Sequence, residues 1–191
     1  MKLLIASDIH GDAAATEKLL AAYEREKAEL LLLCGDYLYH GPRNNLPPGY
    51  APQTVVSLLE RCADKIIGAR GNCDSEVDQL LLGFPMMSDY ALVVREGRQF
   101  FLTHGHIYSP RTLAREENPA PRLHPGSVFV FGHTHVSVLE YLPGGEVLLV
   151  NPGSVSLPKG GTRAGYAVIS EEAACLKTLE GETLTEERLR F

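Results

Sequence analysis

Apolar residues in the first third of the chain fall into short dense runs separated by stretches with helical spacing. Lys2 to Ala6 (KLLIA) is a compact apolar run with the length of a buried strand. Asp12 opens a segment that carries Leu19, Leu20 and Tyr23 at helical spacing, which predicts a helix ending near Lys27. Glu29 to Cys34 (ELLLLC) is a second buried strand, stopped by Gly35-Asp36. Thr54 to Cys62 reads as a helix with Val55, Val56, Leu58 and Leu59 turned inward. Lys65 to Arg70 reads as a third strand, stopped by Gly71-Asn72. This β-α-β-α-β order predicts an α/β fold whose early strands are parallel and joined by right-handed crossovers.

The pattern then changes to short strands at close spacing. Tyr90 to Val94 and Gln99 to Thr103 form a pair turned at Glu96-Gly97, followed by Val128 to Phe131, Val136 to Leu142 and Glu146 to Val150. Tyr166 to Ile169 and Cys175 to Leu179 complete the set. All of these are expected in a second, largely antiparallel or mixed sheet, with helices outside both sheets. Gly41 to Pro52 holds four of the chain's 12 prolines and is a loop, as is the polar segment Tyr108 to Pro125, with one helical turn around Thr112 to Arg115. The acidic segment Glu180 to Glu187 reads as a solvated hairpin edge. With 191 residues, no repeat and no linker, one domain spanning 1–191 is expected.

Composition narrows the function classes. Hydrophobic residues make up 45% and charged residues 22%, which excludes a disordered chain. The formal charge of −6 is opposite in sign to that of a protein that coats nucleic acid, so no extended nucleic-acid binding is expected, while a small site acting on a nucleotide stays open. No apolar run approaches the roughly 20 residues of a membrane span, and the N-terminal run is too short for a signal peptide. Cys34, Cys62, Cys73 and Cys175 form no Cys-x-x-Cys pair, so neither a disulfide framework nor a zinc knuckle is indicated and a reducing, cytoplasmic location is expected.

Polar residues are placed more informatively than they are counted. Each strong apolar run in the first two thirds of the chain ends in a glycine-flanked metal-ligand type: Asp8-Ile9-His10-Gly11, Gly35-Asp36, Gly71-Asn72-Cys73-Asp74, His104-Gly105-His106 and Gly132-His133-Thr134-His135. Five of the seven histidines lie in these positions. Strand carboxyl ends gather at one crevice in open α/β sheets, so these groups should converge. Carboxylate, imidazole and amide together suit borderline metals such as Mn, Fe, Zn, Co or Ni. The donors are too many for one ion, and Asp36 is placed to be shared between two.

The series Asp-x-His, Gly-Asp, Gly-Asn, Gly-His and Gly-His-x-His resembles the calcineurin-like metallophosphoesterase family. More narrowly, GDYLYHGPRNNLPPGYAP, RGNCDSEVDQLL, LTHGH and NPGSVSLPKGG resemble its YfcE-type bacterial phosphodiesterases. The likeness runs from Lys2 to about Ser170. It implies an αββα sandwich of two mixed sheets flanked by helices, with two divalent ions, manganese foremost, at the strand ends. Carried over by motif, Asp8, His10 and His135 would hold one ion, Asn72, His104 and His133 the other, and Asp36 both. The resemblance implies hydrolysis of a small phosphodiester by in-line attack of a bridging hydroxide. Many relatives have histidine after Gly-Asn, where it serves the leaving group. Here that position is Cys73, a weak donor, which predicts a preference for esters of acidic alcohols. His106 is a substitute acid or an orienting group.

Other readings have their own signatures. The same ligands would serve a phosphomonoesterase or nucleotidase. A non-catalytic protein-binding scaffold would be expected to lack metal ligands, whereas all seven positions here are competent. His40 and Arg43 read as solvated loop residues, with phosphate contact the alternative, Asn151-Pro152-Gly153-Ser154 as a turn buttressing the site, and His124 as exposed. The Gly41 to Pro52 loop is available for a homo-oligomer contact.

Overall fold

The computed structural model describes residues 2–115 and 123–190. Part of the predicted Tyr108 to Pro125 loop therefore lies outside the described residues. Eleven strands and four α-helices are assigned among the described residues. The predicted β-α-β-α-β opening is present as β1 (Leu3–Ala6), α1 (Ala13–Glu26), β2 (Leu30–Leu33), α2 (Pro52–Glu60) and β3 (Ile66–Gly68). Helix α1 begins where Asp12 accepts a hydrogen bond from the Ala15 amide at 2.9 Å. It ends where Lys27 turns left-handed, with φ 52°.

After the short helix α3 (Glu76–Gln79) come β4 (Tyr90–Arg95), β5 (Arg98–Thr103), α4 (Pro110–Arg115), β6 (Val128–Val130), β7 (Val138–Tyr141) and β8 (Leu148–Asn151). The chain closes with β9 (Gly165–Ile169), β10 (Ala173–Thr178) and β11 (Thr183–Arg188). Five strands form one sheet in the order β4-β5-β6-β8-β7, and six form the other in the order β11-β10-β9-β1-β2-β3. Both sheets are mixed: β1, β2 and β3 run parallel, as do β5, β6 and β8, while their outer neighbours are antiparallel.

Strands β9 and β10 correct the expectation that they belong to the second sheet, because β9 pairs antiparallel with β1. The physical reason is the burial of β1. Leu3, Leu4, Ile5 and Ala6 are buried on both faces, so β1 cannot lie at a sheet edge, and β2 covers only one flank. Strand β9 is equally buried and supplies the other flank. The polar β11 takes the exposed edge, in keeping with the solvated reading of Glu180 to Glu187.

Alternation along the strands divides the core into layers. Leu3, Ile5, Leu32, Phe100, Leu102, Val128, Val130, Leu148 and Val150 pack between the sheets. Leu4, Ala6, Leu31 and Leu33 face the other way, onto Leu19 and Leu20 of α1 and Val55, Leu58 and Leu59 of α2. Phe101, Phe129, Phe131 and Leu149 form the outer face of the second sheet, packed with Tyr108, Leu113 and Leu123. The order is helix, sheet, sheet, then α4 with its aromatic layer. No helix among the described residues is long and apolar enough to cross a membrane.

One buried ion cluster ties α1 to the first sheet. Glu26 accepts hydrogen bonds from Lys177 Nζ at 2.7 Å and from Tyr166 Oη at 2.9 Å, with Lys2 Nζ 3.7 Å away. Burial raises the Glu26 pKa, but these partners outweigh it and hold the carboxyl below its ordinary value. Glu26→Gln is therefore expected to lose about 1–3 kcal/mol of unfolding free energy at pH 7, measured by urea denaturation. The difference should narrow as the pH falls below about 4.3, because at low pH the native carboxylate is protonated as well and its charge-assisted bonds are lost.

Candidate metal centre

The seven sequence-predicted ligands stand at the carboxyl ends of parallel strands from both sheets. Asp8 and His10 follow β1, Asp36 follows β2, Asn72 follows β3, His104 follows β5, and His133 and His135 follow β6. His10 Nε2 lies 3.1 Å from His135 Nε2. Asp8 Oδ1 is 3.6 Å from the first and 3.3 Å from the second. Asp36 Oδ2 lies 3.7 Å from His10 Nε2 and 3.4 Å from His104 Nε2. His104 Nε2 also faces Asn72 Oδ1 at 3.1 Å and His133 Nδ1 at 3.3 Å. The structure thus brings all seven together, with Asp36 between the two groups.

Hydrogen atoms alone do not satisfy this arrangement. His10, His104 and His135 each face a backbone carbonyl with Nδ1, those of Tyr39, Cys34 and Leu157, at 2.8, 2.8 and 2.7 Å. A carbonyl only accepts, so Nδ1 is the donor and Nε2 of the neutral ring presents a lone pair inward. The carboxylates follow the same logic. Asp8 Oδ2 accepts from Ser7 Oγ at 2.6 Å and from the His133 amide at 3.0 Å, while Oδ1 is buried without a hydrogen-bond partner. Asp36 Oδ1 accepts from the Cys73 amide at 2.9 Å, while Oδ2 faces the histidines. Lone pairs converging at these spacings suit donors that each sit about 2.0–2.2 Å from a shared cation. Asp8, His10 and His135 make one such group, and Asp8, Asp36 and His104 another.

Ionisation reflects the same crowding. Burial lowers the His104 pKa, but Asp36 and Asp8 more than offset this and push it up to about 9. Asp8 is held far below the ordinary carboxylate range: burial opposes ionisation, and the neighbouring imidazoles of His10 and His135 override it.

Backbone geometry concentrates here too. Among the described residues seven non-glycine positions have positive φ, and five of them are Asp8, His10, Asp36, His133 and His135, at 50° to 67°. Such conformations cost about 1–3 kcal/mol each and persist where surrounding bonds impose them. Asp74, given no role from sequence, imposes one. Its carboxylate accepts from the amides of Asp36, Tyr37 and Gly71 at 2.8, 2.9 and 2.7 Å, which fixes the turn that carries Asp36. Gly71 packs so closely on Asp36 that a Cβ would collide with it. Asn151 Nδ2 donates to Gly132 O at 2.9 Å and Ser154 Oγ to Asp8 O at 2.7 Å, so the Asn151 to Ser154 segment does brace the site.

Cys73 and His106 occupy different positions. Cys73 Sγ lies beside the centre, accepts from Asn72 Nδ2 at 3.2 Å and falls within 4.8 Å of the His10 and Asp36 ligand atoms. Burial, followed by the Asp36 charge, pushes its thiol up to about 12. His106 stands edge-on to His104 at 5.3 Å, and its Nδ1 is buried without a hydrogen-bond partner. Among the described residues it makes no hydrogen bond to any of the seven predicted ligands. Burial and the charges of His104 and His133 push it down to about 4.

A cavity of about 320 Å³ opens over the centre, floored by Asp36, Asn72, Cys73, His133 and His135. Arg43, Asn44 and Lys159 line the same cavity. Arg43 is exposed, in keeping with its reading as a solvated loop residue, and lies at the rim of the cavity, whereas His40 corrects that reading, being half-buried between the Tyr39 and Tyr50 rings. The Pro-rich loop is folded back onto the site: Gly11 donates to Tyr37 O and Ala51 to Gly11 O, at 2.9 and 2.8 Å. Lys159 was not singled out. Its backbone amide donates to His135 O at 2.9 Å, a pairing with no local sequence signature. His124 is exposed, as expected.

Comparison with known proteins agrees with this geometry. Residues 1–174 match the model of the calcineurin-like phosphoesterase superfamily domain. The chain is 45% identical to phosphodiesterase YfcE of Escherichia coli (strain K12) over 96% of its length and 95% of the relative's. It is 30% identical to a probable metallophosphoesterase, YsnB, of Bacillus subtilis over 90% of its length and 85% of the relative's. The solved structure of the E. coli YfcE phosphoesterase superposes with a TM-score of 0.91 at 44% identity, covering all of both chains. From its fold, its strand-end donors and these matches, the chain belongs to the calcineurin-like phosphoesterase superfamily.

Proposed function

We propose that this protein is a metal-dependent phosphodiesterase that hydrolyses a small phosphodiester at a two-ion centre. One observation carries the reading: the bare Oδ2 of Asp36 stands between His10 Nε2 and His104 Nε2, at 3.7 and 3.4 Å, with an inward-facing donor group on either side. Asp8, His10 and His135 suit one divalent ion and Asn72, His104 and His133 a second, with Asp36 common to both. Oxygen and imidazole donors without an obligatory thiolate fit manganese, with Zn, Fe, Ni and Co compatible. When bound, such ions supply positive charge that lowers the pKa of water and offsets charge on the phosphoryl oxygens. Diester rather than monoester hydrolysis is supported by the 45% identity to E. coli YfcE, which is named a phosphodiesterase. The free thiols of Cys34, Cys62, Cys73 and Cys175 support a reducing, cytoplasmic setting.

The chain's own side chains divide the remaining tasks. The carbonyls of Tyr39, Cys34 and Leu157 hold the imidazoles in one tautomer and direct their lone pairs inward. The strand ends orient the scissile phosphate on the cavity floor. Cys73, a weak donor beside that floor, leaves the departing alkoxide without a strong proton source, so acidic alcohols leave best.

Four outcomes test the reading. Chelator treatment should abolish hydrolysis of bis(p-nitrophenyl) phosphate, and manganese should restore it. Titration of the metal-free protein should then show proton release and an affinity that rises with pH up to about 9, as His104 gives up its proton. Cys73→His should raise the rate on esters of poorly acidic alcohols by on the order of 10²-fold and flatten the dependence of rate on leaving-group pKa. Asp74→Ala should orphan three buried amides, lower stability by about 1–3 kcal/mol in chemical denaturation, and weaken manganese binding roughly tenfold or more.

A further inference from the structure

Two cations at the cavity have no counterpart in the proposed chemistry. The protein carries a net charge of −6, yet neither Arg43 nor Lys159 is paired with a carboxylate among the described residues. Among the described residues Lys159 Nζ donates only to the amide oxygen of Asn44, at 3.1 Å. Among the described residues Asp36 is the one carboxylate lining the cavity; its Oδ1 accepts from the Cys73 amide and its Oδ2 faces the histidines. Both cations ride on backbone tied to the site. Lys159 is anchored to His135 O, and Asn44 is held by its amide to Gly41 O at 3.2 Å and by Nδ2 to His40 O at 2.8 Å. The bond from Lys159 to Asn44 joins the Pro-rich loop to the Pro158-Lys159 loop across the cavity.

A simple phosphodiester has a single negative charge, on the phosphoryl oxygens that would face the donor groups on the floor. It offers nothing ionic to Arg43 and Lys159. We infer that these two residues bind a second phosphate of the substrate, and that the substrate is a diphosphate diester, in which two phosphorus atoms share an anhydride oxygen and each carries an organic ester. This rests on the phosphodiesterase reading and names its substrate class. Guanidinium and ammonium are the side chains suited to a phosphate, the first bidentate and the second as a point charge.

The substitution at Cys73 is consistent with this class. Water provides the oxygen that bonds to the attacked phosphorus, and the bond from that phosphorus to the anhydride oxygen breaks. Its electron pair leaves with the second phosphate, and the two protons of water pass to the phosphate products or to solvent according to pH. Two phosphomonoesters result. A phosphate monoester leaves as a stable anion, so the step needs no imidazole where Cys73 stands. Arg43 and Lys159 would face the charge that develops on it.

The test compares the symmetrical diphenyl ester of diphosphate with bis(p-nitrophenyl) phosphate, using the manganese-supplemented full chain. Arg43→Gln and Lys159→Gln should each lower the ratio of kcat/KM for the first substrate to that for the second by about tenfold, and Arg43→Lys should restore part of it. Equilibrium binding of the diphenyl ester of methylenediphosphonate, in which a carbon bridge replaces the scissile anhydride oxygen, should weaken in parallel, with melting temperatures confirming that the variants fold. An unchanged ratio, or equal losses on both substrates, would overturn the inference and leave the phosphodiesterase reading intact. No hydrolysis of either substrate by the wild-type protein with any of the proposed metals would overturn both.

Discussion

Lone pairs forced together in a buried space are the constraint around which this molecule is arranged. Three imidazoles give their Nδ1 protons to backbone carbonyls and aim Nε2 inward, while Asp8 and Asp36 each tie one oxygen to amides or a hydroxyl and leave the other facing the histidines. Buried polar atoms left in this way are costly unless a positive charge joins them. A proton on His104 meets part of that need, and divalent ions would meet it more fully.

Holding such a set requires a stiff frame, and the two sheets provide it. Strands β1 and β2 of one sheet and β5 and β6 of the other end side by side because alternate side chains that point between the sheets, Ile5, Leu32, Leu102 and Val130 among them, lock the sheets face to face. The chain then turns sharply at each strand end, with Asp8, His10, Asp36, His133 and His135 all left-handed. Asp74, Ser154 and Asn151 carry no inward-facing lone pair of their own into the centre; they hold the turns that do.

Charge is distributed in opposition to the overall composition. The acidic surface plays no visible part in the cavity, whose rim is basic and whose floor is built for cations. Arg43 and Lys159 come from loops separated by more than half the chain, and only the folding of the Pro-rich loop back over Gly11 brings them near one another.

Much of this was legible in the residues themselves. Dense apolar runs ending in glycine and a ligand type mark strand ends locally, and the convergence of such ends is a general property of parallel strands, so Asp8, His10, Asp36, Asn72, His104, His133 and His135 could be named before any coordinates. Sheet membership was less legible: β9 and β10 look like any short strand, and only the need of β1 for a second flank assigned them to the first sheet. The roles of Asp74 and Lys159, and the choice between solvent and phosphate for Arg43, depended on tertiary structure. Their partners are backbone amides, another loop and an open cavity, and contacts of that kind leave no periodicity, because they are set by where distant turns meet and not by what precedes or follows a residue along the chain.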